Sequence, residues 1–275
     1  MIALGLKQKL IINRKSEIGV YLTDDKNSQE VLLPKKQVPS DIAEGDEIEV
    51  FIYKDSKDRI IATTNEPKIF LKEIKVLKVV EVTPIGAFLD WGLEKDLLLP
   101  FKEQTVKVKE GKEYPVALYI DKSDRLCATM DLYKYLESQS PYDKDDAIKG
   151  NIYDIKESFG AFVAIDLKYQ GLIQKNELIN LKVGDEVEGR VTEVREDGKL
   201  NISLREKAYL QMDDDADMII KKLEANGGQL NLSDNSPPEE IKLQLNISKK
   251  AYKRAVGRLL KNEKIKITEK GIELK

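Results

Sequence analysis

Phe159-Gly160-Ala161-Phe162-Val163 sets two phenylalanines three residues apart around a strand glycine. A glycine inside a strand marks a close approach of backbone segments. On a bending strand both rings can meet solvent, where neighbouring aromatics give a nucleic-acid base a flat surface to stack on. The alternative is a pair of core phenylalanines flanking the glycine. Whether the stretch recurs decides between a local accident and a repeated module.

It recurs twice upstream. Ile18-Gly19-Val20-Tyr21-Leu22 and Ile85-Gly86-Ala87-Phe88-Leu89 each follow a β-branched run, so Gly19, Gly86 and Gly160 are equivalent. Leu32-Leu33-Pro34, Leu98-Leu99-Pro100 and Leu172-Ile173-Gln174 then fall in register. Next come the glycine turns Glu44-Gly45-Asp46, Glu110-Gly111-Lys112 and Val183-Gly184-Asp185, each feeding a new strand. The blocks close on Asp55-Ser56-Lys57-Asp58-Arg59, its near copy Asp121-Lys122-Ser123-Asp124-Arg125, and Glu196-Asp197-Gly198-Lys199-Leu200. Each block therefore predicts about five strands over roughly sixty residues, the size of a small closed OB barrel.

Composition narrows the chemistry. The 275 residues accommodate several small domains, and 35% charged against 41% hydrophobic residues suits a folded chain with modest cores. There is no histidine, which removes the usual general base and the Ser-His and Cys-His pairs, so a non-catalytic protein is expected. Cys127 is the only cysteine, and Met1 to Lys7 is too quickly charged for a signal peptide. With no apolar run of spanning length, the expectation is a cytoplasmic protein with no membrane contact. No cofactor or metal is expected: Asp143, Asp145 and Asp146 read as a solvated connector, and Asp213 to Asp217 as the start of a helix.

The third block resembles the ribosomal S1-type RNA-binding OB domain through Gly150, Phe159 to Val163, Gly171-Leu172-Ile173, Val183 to Val187 and Leu200 to Leu204. In that family exposed aromatics stack on bases beside a histidine, an acid and a base. The resemblance implies stacking by Phe159 and Phe162, with Lys199 at the basic site. Gln174 stands in place of the histidine and Arg195 in place of the aspartate, which implies weaker or differently tuned binding. In the earlier blocks Tyr21 and Phe88 are single stacking candidates, accompanied by Asp55 with Arg59 and by Asp121 with Arg125. The third block is thus the expected RNA binder of the three.

Between the second and third blocks, Tyr133 to Tyr142 predicts a short helix ending before Pro141, at a point where domains can move. After Asp217 the pattern turns helical. Met218, Ile219, Lys222 and Leu223 open an amphipathic helix stopped by Gly227-Gly228, and Gln229 to Leu232 is extended. Pro237-Pro238 starts a second helix ending near Asn246. Ser248 caps a third, Lys249 to Lys261, whose buried stripe is Ala251, Ala255, Val256, Leu259 and Leu260. A hairpin around Lys270-Gly271 completes a winged helix. Lys249, Lys250, Lys253, Arg254, Arg258 and Lys261 face away from the stripe, as phosphate contacts or as an ordinary solvated face. Residues 218–275 hold thirteen Lys and Arg against seven Asp and Glu, a net +6; residues 1–217 hold 33 against 42, a net −9.

The fold class is mostly β with an α+β C-terminal domain: S1-like barrels over 1–70, 71–140 and 146–207, then a winged helix over 213–275. This order, with Ser248 to Lys261 and the Leu33-Pro34 and Leu99-Pro100 pairs, resembles the conserved virulence factor B (CvfB, YitL-like) family of Gram-positive bacteria. The resemblance implies RNA binding linked to control of gene expression, including virulence factors. The expected partner is single-stranded RNA, held on one surface formed by the third barrel and the winged helix. A DNA-binding regulator reading through its third helix, or a scaffold whose first two barrels bind protein, remains open.

Overall fold

The computed structural model describes residues 2–24, 29–178, 180–205, 208–268 and 271–275, with only the backbone of 208–214. It divides into two compact units, residues 1–204 and 205–275.

The first unit holds three five-stranded modules of one topology. The first comprises β1 (Lys7–Ser16), β2 (Gly19–Thr23), β3 (Val31–Pro34), β4 (Glu47–Lys54) and β5 (Ile60–Thr63). The second comprises β6 (Ile74–Thr83), β7 (Gly86–Asp90), β8 (Leu97–Pro100), β9 (Glu113–Ile120) and β10 (Leu126–Thr129). The third comprises β11 (Ala147–Lys156), β12 (Gly160–Ile165), β13 (Tyr169–Gln174), β14 (Glu186–Val194) and β15 (Leu200–Ser203). In the first and third, a parallel ladder between third and fifth strands closes the barrel. The second keeps the strand order, but β8 and β10 are not joined by a ladder.

The repeat glycines have the predicted reason. Gly19, Gly86 and Gly160 have φ of 151°, 152° and 138°, and a Cβ there would lie 2.1, 2.4 and 1.9 Å from the carbonyl oxygens of Leu33, Leu99 and Ile173. Only glycine fits this crossing of the second strand over the third. Each long first strand also shifts register at one residue, between Ile12 and Arg14, Val79 and Glu81, and Ile152 and Asp154. Such bulges bend a strand around a small barrel and re-aim one side chain. In the third module the bulge residue is Tyr153.

Adjacent modules share buried side chains. Phe51 and Tyr53 of β4 enter one cluster with Leu77, Val79, Leu89 and Trp91 of the second module. Ile74 and Ala117 pack with Leu132, Leu136, Tyr153 and Ala164 between the second and third. The connector over 133–142 is not the expected helix. It makes turns and one parallel bridge, Glu137 to Tyr169, because hydrogen bonds to the edge of β13 replace those a helix would make with itself. Asp145 pairs with Arg190 at 3.3 Å, and Asp146 accepts the Asp143 N–H.

The second unit runs α1 (Ala208–Ala225), β16 (Gln229–Leu230), α2 (Pro238–Leu245), α3 (Lys249–Lys261), β17 (Ile265–Thr268) and β18 (Gly271–Leu274). The strands form a sheet ordered β16-β18-β17. The winged-helix expectation stands, with two corrections. Asp213 to Asp217 lie inside α1 rather than at its start, since the helix begins at Ala208. The buried face of α3 includes Tyr252, fully buried, while Ala251 and Leu260 are half-exposed. Lys270 of the expected hairpin turn lies outside the described residues.

Candidate nucleic-acid interface

Phe159 ends the β11–β12 turn, immediately before Gly160, and is 63% exposed. Phe162, two residues into β12, is half-buried against Tyr153, with ring centroids 6.1 Å apart. The core alternative fails for Phe159; Phe162 is outside the barrel interior, which Ala161 and Val163 fill, but packs in part against the seam cluster of Tyr153 and Ala164. The strand alternation thus points Phe162 outward. Lys156 Nζ stands 5.6 Å from the Phe162 ring centroid.

The turn between β14 and β15 brings Arg195 and Lys199 to the same place. Asp197 pairs with both, at 3.4 Å to Arg195 Nε and 2.9 Å to Lys199 Nζ. Lys199 also donates to the Tyr133 hydroxyl at 3.0 Å. That bond first, and Asp197 second, raises the ammonium above the ordinary lysine value and keeps it charged. Lys199 in turn holds the Asp197 carboxyl below its usual range. Phe159, Phe162, Tyr153, Tyr133, Arg195 and Lys199 line one cleft of about 230 Å³. Pockets for drug-sized ligands are about 300–1,000 Å³, so this cleft is smaller than those.

The other expected residues divide. Gln174 is exposed at the end of β13, paired across Gly160, outside the cleft lining. Tyr21 lies under the Arg14 guanidinium at 3.7 Å, and Glu30 holds that guanidinium with bonds of 3.1 and 2.7 Å. Its face is occupied from within the chain. Arg59 binds Asp55 through two nitrogens at 2.9 and 2.7 Å. Burial pushes Asp55 up, but hydrogen bonds from Arg59 and from the Lys57 and Arg59 N–H groups outweigh it and hold the carboxyl low. The expected Asp121–Arg125 side-chain pair is replaced: Asp121 accepts the Ser123 and Arg125 N–H groups, while the Arg125 guanidinium reaches Asp58 of the first module at 2.7 Å. Phe88 and Arg125 therefore line a cleft walled by Tyr53, Lys54 and Asp58 of the first module.

Sequence reasoning missed Tyr133, Tyr153 and Lys156. No local pattern marks them, because a bulge, a turn and a connector bring them to the cleft.

In the second unit, Ser248 Oγ accepts the Ala251 N–H at 3.2 Å and caps α3. Lys250, Lys253, Arg254 and Lys261 are exposed, and Lys249 and Arg258 half-exposed. Lys253 approaches Asp234 at 3.6 Å. The helix thus presents cations from end to end, with apolar residues on its other side.

Three β modules of S1 topology followed by a winged helix define the class. The S1 domain family matches residues 4–65 and 73–131, the S1 RNA binding domain residues 142–205, and the CvfB-like winged helix domain residues 217–274. The uncharacterized protein YitL of Bacillus subtilis is 32% identical over 271 residues, covering 95% of this chain and 90% of the relative. Conserved virulence factor B of Staphylococcus saprophyticus is 29% identical over 93% of this chain and 91% of the relative. A solved multidomain protein with nucleic acid binding domains from Streptococcus pneumoniae is 28% identical with a TM-score of 0.53, covering 99% of this chain and 98% of that one. The chain belongs to the conserved virulence factor B family, the YitL-like proteins.

Proposed function

We propose that this protein binds single-stranded RNA without catalysis, through the cleft of the third barrel, and that it serves post-transcriptional control of gene expression. One observation carries the reading: an exposed Phe159 beside a half-exposed Phe162, ringed by Lys156, Arg195 and Lys199. Aromatic faces accept any unpaired base, and the cations neutralise the flanking phosphates. The match to the S1 RNA binding domain falls on this barrel, and the pneumococcal relative carries nucleic acid binding domains. For the regulatory half, the support is the virulence-factor name that relatives of this chain carry. The described residues include no group of three metal-ligating side chains and no helix long and apolar enough to cross a membrane.

The α3 cations supply an electrostatic contact of their own. Their position on the third helix of a winged helix also favours a second reading, duplex DNA as the ligand. Titration of a labelled RNA oligonucleotide against wild type and Phe159→Ala/Phe162→Ala at two salt concentrations tests the first. Each stacked base contributes about 1–3 kcal/mol, so the double variant should bind at least fivefold more weakly. Equal affinities would remove the stacking site. Tighter binding to duplex DNA than to RNA would favour the second reading.

A further inference from the structure

Resting on that reading of the third barrel, the geometry points to a base-contacting residue from outside it. We propose that Tyr133, in the connector between the second and third barrels, is a wall of the cleft, and that Gln170 is its positioning residue.

Tyr133 is 52% exposed, whereas Leu132 beside it and Leu136 one turn on are buried in the seam between barrels. Its ring is thus turned out of the packed seam and into the cleft that Phe159 and Phe162 line. Its backbone is tied down from β13. The Gln170 side-chain amide donates from Nε2 to the carbonyls of Tyr133 and Leu136, both at 3.1 Å. Because both partners are acceptors, the amide has only one orientation that satisfies them. The Glu137 N–H donates to Lys168 O at 2.8 Å, and the Gln170 N–H to Glu137 O at 3.1 Å. Ser138 O sits so close to Gly198 that a Cβ there would approach it to 2.7 Å, so the connector also lies against the turn that carries Lys199. The ring itself is fixed by Lys199, whose ammonium meets the hydroxyl and stands 5.3 Å from the ring centroid.

An aromatic wall held from both ends loses little freedom when a base arrives, which is where preorganisation gains affinity. It also places part of the third barrel's site on chain belonging to the inter-barrel seam. The third barrel cut out alone would lack this wall.

The test uses the full chain and a fluorescein-labelled oligoadenylate followed by anisotropy. Tyr133→Ala should weaken binding about 5- to 150-fold, the value of one stacked base, with an unchanged salt slope because no cation is lost. Tyr133→Phe should retain most of the affinity, and Tyr133→Leu, which keeps bulk without a ring, should not. Gln170→Met should weaken binding in the wild-type background but add nothing to Tyr133→Ala, a non-additivity that general loosening of the barrel would not produce. Wild-type affinity in Tyr133→Ala and Tyr133→Leu, beside a loss in Phe159→Ala/Phe162→Ala, would overturn the inference and leave the barrel's own face standing. Wild-type affinity in all of them would overturn both.

Discussion

Cys127 lies on β10 with 2% of its surface exposed, and burial first, then the Asp121 carboxylate, pushes its thiol up to about 11 from 9.0. Two consequences follow. Alkylation in the folded protein at neutral pH should be far slower than in denaturant, as mass spectrometry of the labelled chain would show. The folded state holds this proton more tightly than the unfolded one, so the stability tied to it is intact below pH 9 and lost as pH rises through 11. Cys127→Ala should remove a share of the alkaline loss, at most roughly 2–3 kcal/mol, in urea titrations across that window. Tyr21 gives a contrasting case. Because Arg14 covers its ring, Tyr21→Ala is expected to leave RNA affinity at the wild-type level, whereas Phe159→Ala is not.

Among elements, the glycine crossings and the capped α3 were readable because each depends on a few adjacent residues. Gly160 must hold φ at 138° beneath a carbonyl, and the residues around it say so in all three blocks. Gly160→Ala should cost roughly 1–3 kcal/mol in thermal unfolding, from a backbone that side chains avoid plus the shift needed to clear Ile173 O. What could not be read were elements decided by distant partners. The connector at 133–142 has helical composition, yet Lys168 and Gln170 capture its backbone. Tyr252 stands three, four and seven residues before Ala255, Val256 and Leu259, so its spacing does place it on the buried stripe; what the spacing does not reveal is that its hydroxyl reaches Leu232 O at 2.7 Å in the core. Tyr252→Phe should therefore destabilise the winged helix by about 1–3 kcal/mol, the cost of a buried carbonyl left unpaired. Arg125 likewise left its own loop for Asp58, a choice only the neighbouring barrel determines.

Across the molecule, side chains in the seams between barrels, such as Phe51, Trp91, Leu132 and Tyr153, are as buried as those of the barrel interiors. Phe51 meets Phe70 and Trp91 edge-on at 5.8 and 5.9 Å, and Leu132 and Tyr153 close the second seam. Truncating a seam residue should thus be felt on both sides of it. Leu132→Ala is expected to cost about 2–5 kcal/mol and to raise hydrogen exchange in peptides of the second and third barrels together. Exchange that rises in one barrel alone would show the seam to be energetically slack.

Trp91, the sole tryptophan of the chain, is 3% exposed in the first seam, its indole N–H given to Lys95 O at 2.5 Å. The protein therefore carries a single fluorophore of its kind, buried where the first two barrels meet and separate from the third-barrel cleft. Its emission will report the parting of those two barrels during unfolding. RNA settling on Phe159 and Tyr133 should leave that emission unaltered, so in the third-barrel variants a lost affinity with unchanged emission shows that the first two barrels are still joined.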